Sequence, residues 1–310
     1  MGNSDLDAIR IFVMFYNTFI IPIFVQTSVI IGFGPDLFCQ VLNPIVEFGV
    51  KIRALGNIGH QVPQNKKLET FFQRAIQVSP LILPFMITIL VWLSIDPFYV
   101  FEKASTYEEF EFIIIPARIL TLIWVTEAIA ASIWCLTTAA LIILASSTQI
   151  LARCGKILEK TPNSKRKTRI IKIYKELQIW NRYINQNFAY YAIPPIVFFG
   201  SCTLICTNYF TMKFPGRIPW IAYWIAPWTS IFGFSMMMMV LPEATMLWDR
   251  SVRFLGILKG RCYSKYEVRL CHSLAKVAME VGPFGQFTKS WKMAIVWNIA
   301  NYTMNVLLAF

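Results

Sequence analysis

The feature that most constrains this chain is the recurrence of long segments without Asp, Glu, Lys or Arg. A helix needs about 20 apolar residues to cross the hydrocarbon core of a membrane. Ser79–Ile95 reaches that length by continuing to Phe101, and Ile119–Ile150 carries Glu127 as its single charge. The sequence therefore predicts an all-α, polytopic membrane helical bundle, a single transmembrane domain over residues 1–310. Its six spans are predicted at about 11–33, 79–101, 119–150, 187–212, 218–242 and 291–310.

Composition agrees with a membrane protein. Hydrophobic residues make up 56% of the chain and charged residues 15%, whereas soluble domains carry about 25% charged residues. No polar, Gly or Pro break lies between Ala117 and Ile150, so Phe112–Ile150 is predicted to be one long helix and not a hairpin. Asp36–Val50 holds two acidic residues and a proline, and we interpret it as a cytoplasmic continuation of the first helix. A short extra span is the alternative.

The distribution of basic residues predicts the orientation. Three intervals, 34–78, 151–186 and 243–290, separate the predicted spans on one side; counted as far as Lys292, they hold 24 of the 29 Lys and Arg residues. Basic residues concentrate in cytoplasmic loops, so these intervals are expected to be cytoplasmic and both chain ends outside. The net charge of +12 arises from these membrane-flanking loops, and no nucleic-acid partner is expected.

Catalytic and metal-binding patterns are missing from the sequence. The two histidines, His60 and His272, both fall in predicted cytoplasmic loops, and no Cys or His pair has metal-ligand spacing. We therefore expect no enzyme activity, no cofactor and no metal. A secondary transporter is a competing hypothesis, because the Pro194-Pro195 pair is suited to break a helix and Glu127 to carry a proton. Another kind of polytopic membrane protein is also open.

The end of the chain, NYTMNVLLAF, carries a resemblance. It resembles the arthropod chemoreceptor superfamily of gustatory and odorant receptors, in which Thr-Tyr is followed after five residues by Gln-Phe near the end of the last helix. Tyr302 matches the tyrosine, Asn301 stands for the threonine, and Leu308 and Ala309 replace the Gln-Phe pair; a register shifted by one residue matches Phe310 instead. The long basic loops and the segment VAMEVGPFGQFTKSWKMA before the last helix add to the resemblance.

The resemblance implies a fold and a function. Members have seven spans, the N-terminus inside and the C-terminus outside, so the six spans here correspond to the second to seventh, and a first helix is expected to be missing from this sequence. They are plasma-membrane subunits of ligand-gated, non-selective cation channels that sense small, mostly apolar molecules. They assemble as homo- or hetero-tetramers through their cytoplasmic helical portions.

The resemblance also implies pore residues on the last helix. The register that matches Tyr302 gives Asn305, Leu308 and Ala309, and the shifted register gives Val306, Ala309 and Phe310. A stripe of this kind holds an apolar constriction beside a polar residue. Ordinary packing between helices is the alternative interpretation.

A ligand pocket is expected among aromatic side chains near the outer ends of the spans, because small apolar ligands bind where aromatic groups surround a few polar ones. The alternative is an aromatic belt at the membrane interface. The candidates are Trp92, Tyr99, Trp124, Glu127, Tyr209, Tyr223 and Trp224.

The cytoplasmic interval 151–186 contains a predicted helix with an apolar stripe among basic residues. We expect this helix either to lie on anionic lipid or to pack between subunits, and the resemblance favours packing. The stripe consists of Ile170, Ile173, Leu177 and Ile184.

Overall fold

The computed structural model describes residues 35–55, 66–92, 96, 99, 111–160, 164–216, 220–262 and 264–309. Nearly all of this part of the chain is helical, and it contains no β-strand, only an isolated bridge between Glu280 and Gln286. The predicted all-α class is confirmed. The first predicted span, 11–33, lies outside the described residues.

Nine α-helices are described, with a five-residue π-helix at Asn185–Ala189 and a 3-10 turn at Gly282–Phe284. Their bounds are α1 Pro35–Leu55, α2 Lys66–Trp92, α3 Glu111–Lys160, α4 Ser164–Ile184, α5 Tyr190–Lys213, α6 Trp220–Tyr223, α7 Ile225–Lys259, α8 Lys265–Ser273 and α9 Lys289–Ala309.

Three helices of the described chain are long and apolar enough to cross a membrane. They lie on α3, α5 and α7, at Ile113–Lys160, Ala192–Lys213 and Ile225–Lys259. The predicted spans 119–150, 187–212 and 218–242 therefore fall on suitable helices. The predicted span 79–101 begins on α2, which ends at Trp92 and has only a shorter apolar stretch, Ile82–Trp92. The predicted span 291–310 lies on α9, which is not among the three candidate membrane helices.

Helix α3 is a single uninterrupted helix of 50 residues. At 1.5 Å per residue it is about 75 Å long, more than twice the thickness of a hydrocarbon core. The prediction of one long helix in place of a hairpin is confirmed. Apart from Arg118, its early turns are half-buried or exposed, whereas later residues such as Leu144, Leu151 and Leu158 are buried, so the tightly packed part of the molecule surrounds its second half.

Helices α3 and α7 pack side by side and run parallel. Trp134 on α3 meets the ring of Phe232 on α7 at 5.3 Å between ring centroids. Further along both helices, the Arg250 guanidinium donates to the carbonyl of Thr148 at 3.0 Å. Because later residues of one helix meet later residues of the other, the two helices point the same way.

One end of the molecule, here called the basic end, consists of α1, α4, α8 and the last turns of α3 and α7. Its core draws on all three basic intervals, with Phe48 from 34–78, Leu177 from 151–186 and Leu258 from 243–290. The Trp180 indole donates to the Val41 carbonyl at 3.1 Å and joins α4 to α1. The apolar stripe of α4 packs into the core of this same chain: Ile170, Ile173, Leu177 and Ile184. The expectation that it lies on anionic lipid or between subunits is therefore wrong, because α1, α7 and the segment before α9 already cover it.

Candidate functional site

Helix α9 packs on its neighbours along one narrow stripe. Ile295, Ile299 and Thr303 are buried, and residues four apart lie on one face of a helix. This face meets α5 and α7. The Thr303 hydroxyl donates to the carbonyl of Ile299 at 2.7 Å, so the one polar group on the stripe has its hydrogen bond within the helix.

The opposite face of α9 is exposed and carries asparagines among large apolar side chains, Met293, Trp297 and Met304. Asn298, Asn301 and Asn305 are exposed, and Leu308 beyond them is 82% exposed. None of the three amides makes a side-chain hydrogen bond to the described part of the chain. Transfer of an unpaired amide from water to hydrocarbon costs about 4–8 kcal/mol. This face therefore requires water or another polar surface beside it.

The sequence-predicted pore residues divide between the two faces. Asn305, Leu308 and Ala309, from the register that matches Tyr302, are all exposed, whereas Val306 from the shifted register is half-buried. The motif residues Asn301 and Tyr302 are exposed too. Phe310 lies outside the described residues. The first register thus puts its candidates on the free face of α9.

The segment that leads into α9, residues 274–288 and here called the anchor segment, is held by a buried chain of hydrogen bonds. The Val277 amide donates to Ser251 Oγ at 2.7 Å. Ser251 and Tyr174 share a hydrogen bond of 3.0 Å, and Tyr174 donates to the Ala275 carbonyl at 2.8 Å. Since Tyr174 has one proton, Ser251 donates to it. The chain joins the anchor segment to both α4 and α7.

The environment of Tyr174 keeps this hydroxyl neutral. Burial raises the pKa of Tyr174 to about 12, although its hydrogen bonding with Ser251 acts in the opposite direction. The ring stacks on Phe254 with centroids 4.7 Å apart. Tyr174 is therefore a fixed, protonated donor at neutral pH.

Two asparagines of the α4–α5 junction hold the next part of the anchor segment. The side-chain amides of Asn181 and Asn185 both donate to the Ala278 carbonyl, at 2.8 and 2.9 Å. The Glu280 amide donates back to Asn185 Oδ1 at 3.3 Å. Asn185 opens the π-helix, and single-turn π-helices are frequent at functional sites. The junction between α4 and α5 is thus tied to the segment that positions α9.

The anchor segment also makes a close contact with α5, at Gly282. Gly282 has φ +53°, a conformation that costs other residues about 1–2 kcal/mol. A Cβ at this position would lie 2.8 Å from Pro194 Cγ. The anchor segment therefore packs against the first turns of α5 as tightly as a glycine permits.

At the end of the bundle away from the basic end, Asp96 and Arg118 form a buried ion pair. The Arg118 guanidinium also lies 6.0 Å from the centre of the Tyr99 ring, within the range of a cation–π interaction. This cluster links the start of α3 to the residues that follow α2.

Glu127 lies on the face of α3 that packs towards α7. Ala130 and Trp134, three and seven residues further on, share that face and belong to an apolar cluster with Phe232 and Met236 of α7. One carboxylate oxygen of Glu127 is buried and has no hydrogen-bond partner among the described residues. A carboxylate at the edge of an apolar cluster is suited to receive a polar or cationic group.

The predicted pocket aromatics differ in exposure. Trp92 is 84% exposed, and Trp124 and Trp224 are also exposed. Tyr99, Tyr209 and Tyr223 are half-buried, and the Tyr223 hydroxyl donates to the Thr211 carbonyl at 2.9 Å. The tryptophans point away from the helix bundle, and the tyrosines lie partly within it.

No metal centre is described. Within the described residues no three His, Cys, Asp or Glu side chains converge as metal ligands. No protein-family model matches this chain, and no curated protein matches it.

Two features define the candidate site: the exposed face of α9 and the anchor segment. The sequence pointed to this segment only through the resemblance, and its hydrogen bonds were not predicted, although Tyr174, Asn181 and Asn185 form a visible polar stripe seven and four residues apart.

Proposed function

We propose that this chain is a chemosensory receptor that acts as one subunit of a ligand-gated, non-selective cation channel, with copies of α9 around a common pore. The observation that carries the proposal is the asparagine face of α9. Asn298, Asn301 and Asn305 occupy the middle of a 21-residue helix, opposite its packed stripe. A water-filled pore satisfies these amides, and lipid does not.

Assembly turns each side chain of this face into a ring. The tetramer implied by the chemoreceptor resemblance brings four copies of Leu308 to one axis, with Asn305 one turn further in. An apolar ring closes a pore by excluding water, and uncharged polar groups beside it contact passing ions. Leu308 is therefore proposed as the gate and Asn305 as the adjacent polar ring, with Val306 and Ala309 beside them.

The orientation is proposed from charge and packing together. The three basic intervals share one core at the basic end, which supports the prediction that they lie on one side of the membrane, and Lys and Arg favour the cytoplasmic side. With six spans, the end of α9 is then extracellular. The proposed location is the plasma membrane.

A ligand site is proposed at the end of the bundle away from the basic end. The half-buried residues Tyr99, Glu127, Tyr209 and Tyr223 supply aromatic surface and one carboxylate for a small, mostly apolar ligand. The exposed Trp92, Trp124 and Trp224 are proposed to face lipid headgroups or a neighbouring subunit, as interfacial tryptophans do.

The proposal is tested by placing a charge in the proposed gate. The full chain with Leu308→Asp is expressed in cells, and currents are recorded without ligand. We expect a standing cation current that is absent from wild type, because a ring of carboxylates hydrates the constriction. The matched control is Thr303→Asp on the packed stripe, which should reduce surface expression and give no current.

Two results oppose the proposal. If Leu308→Asp reaches the surface at wild-type level and carries no current, Leu308 does not close a pore. If both variants lose surface expression equally, the two faces of α9 are packed alike.

A transporter is the second candidate, and the unpartnered oxygen of Glu127 favours it. A proton-coupled carrier needs a carboxylate that titrates during transport. Glu127→Gln should then abolish proton-driven uptake, with exposed Glu47→Gln as a control that leaves it unchanged. A channel with a ligand site at Glu127 would instead keep its conductance and change only its response to ligand.

A further inference from the structure

Two cysteines at the basic end lie next to each other. Cys262 follows the end of α7, and Cys271 lies on α8. Their sulfur atoms are 2.8 Å apart, and a disulfide requires about 2.05 Å. A shift of less than 1 Å therefore suffices to join them.

The surroundings hold the two thiols in place. Cys262 Sγ lies 3.2 Å from the Leu258 carbonyl oxygen and 3.7 Å from that of Glu267. The Lys167 ammonium donates to the Glu267 carboxylate at 2.8 Å and to the Arg261 carbonyl at 2.6 Å. Lys167 thus ties both Arg261, directly before Cys262, and Glu267 on α8 to α4.

The two thiols differ in accessibility. Cys262 is half-buried and Cys271 is buried. Burial raises the pKa of the Cys271 thiol to about 12, and its hydrogen bond with Cys262 adds to the shift. Cys271 is therefore shielded from a dissolved oxidant, and Cys262 is the sulfur that such an oxidant reaches first.

We propose that Cys262 and Cys271 are a reversible oxidation site that forms an intramolecular disulfide in response to peroxide. In the first step the Cys262 sulfur attacks hydrogen peroxide, the O–O bond breaks, and a sulfenic acid and one water form. In the second step the Cys271 sulfur attacks the sulfenic sulfur, the S–O bond breaks, and the Cys271 proton leaves with the hydroxyl as a second water. Peroxide gains the two electrons that the thiols lose.

The cross-link fixes α8 to the end of α7. The anchor segment begins at residue 274, directly after α8, and continues into α9. Oxidation therefore acts on the connection that positions α9. The disulfide itself does not depend on the proposed channel; a change in current on oxidation rests on that proposed function and is a separate measurement.

The test uses the purified full chain in detergent at low concentration. Protein is treated with hydrogen peroxide and then unfolded in denaturant, the remaining free thiols are blocked with a maleimide, and peptides are mapped by mass spectrometry before and after reduction. We expect a linked peptide that joins Cys262 to Cys271, loss of maleimide from both positions, and recovery of both by dithiothreitol. Exposed Cys39 and Cys135 serve as internal controls that stay unlinked.

A variant separates the two steps. In Cys271→Ser, the sulfenic acid at Cys262 has no partner and should be trapped by dimedone several-fold more than in wild type. The proposal is overturned if peroxide leaves both thiols of the wild-type protein open to maleimide, or if Cys262 links to Cys39 or Cys135 in place of Cys271. The wild-type measurement decides the matter even where the variant fails to fold.

Discussion

Replacing Tyr174 with Phe removes one hydroxyl from the core of the basic end and keeps the ring that stacks on Phe254. In wild type this hydroxyl accepts from Ser251 and donates to the Ala275 carbonyl. Ser251 is fully buried, so its hydroxyl hydrogen loses its acceptor without access to water. The Ala275 carbonyl belongs to an exposed residue, and water there replaces the lost donor.

The magnitude follows from the stranded Ser251 donor. An unsatisfied buried donor costs about 1–3 kcal/mol, and a helical serine recovers part of this by turning to a carbonyl one turn earlier. We therefore expect a loss of about 1–2 kcal/mol. At about 2–4 °C per kcal/mol, the unfolding midpoint should fall by about 2–8 °C.

The assay is the thermal midpoint of the purified protein, followed by the monodisperse fraction on size-exclusion chromatography. The matched control is Tyr183→Phe on the same helix, where the lost hydroxyl donates to Gln40 Oε1 in an exposed setting; we expect a change below about 1 °C, since exposed hydrogen bonds contribute little net free energy. Equal midpoints for the two variants would refute the argument that the buried chain of hydrogen bonds holds the anchor segment.

Three further predictions concern the same measurement. Gly282→Ala should lower the midpoint, because φ is positive and the new Cβ meets α5. Gly256→Ala is its control: this glycine lies on a helix and a Cβ there meets nothing within 4 Å, so the midpoint should stay unchanged or rise. Equal shifts in the two variants would contradict the strained contact at Gly282. Asp96→Asn should lower the free energy of unfolding by about 3–5 kcal/mol, because it leaves Arg118 buried without its carboxylate partner. Adding Arg118→Gln should restore part of that loss. A double variant as unstable as Asp96→Asn would mean that the two charges are not coupled. The pKa of Tyr174 in the folded protein lies above its unfolded value. The stabilisation of the folded protein by this group is therefore fully present below pH 10 and is lost as the pH rises towards 12. The difference in unfolding midpoint between wild type and Tyr174→Phe should shrink over that range and stay constant below it.

Helices that are read from apolar periodicity were predictable here, and polar connections were not. The uninterrupted α3 follows from a run without charge or break, and the apolar stripe of α4 follows from its spacing. What covers that stripe, the core of this same chain, did not follow from the spacing. The hydrogen bonds of Asn181 and Asn185 reach a carbonyl at Ala278, in a segment without periodicity more than 90 residues away. A polar side chain on a helix is equally compatible with solvent until such a partner is known.

The pair of cysteines shows the same limit at short range. Cys262 and Cys271 are nine residues apart, and their approach depends on where α7 ends and where α8 begins. Helix ends are the least certain part of a sequence-based prediction. The stripe of Asn301, Asn305 and Leu308 on α9 was predictable, because these residues recur at helical spacing. That this stripe is exposed follows only from the structure, which shows that the other face of α9 is packed.

Cysteine accessibility along α9 tests the central claim most directly. Single cysteines are introduced from Asn298 to Ala309 in the full chain, with the accessible Cys39, Cys135 and Cys262 changed to Ser, and membranes are treated with a water-soluble thiol reagent. We predict modification with a helical period that includes positions 298, 301, 305 and 308 and spares 299 and 303. Protection of every position, or modification without a helical period, would contradict a water-filled pathway along the asparagine face of α9.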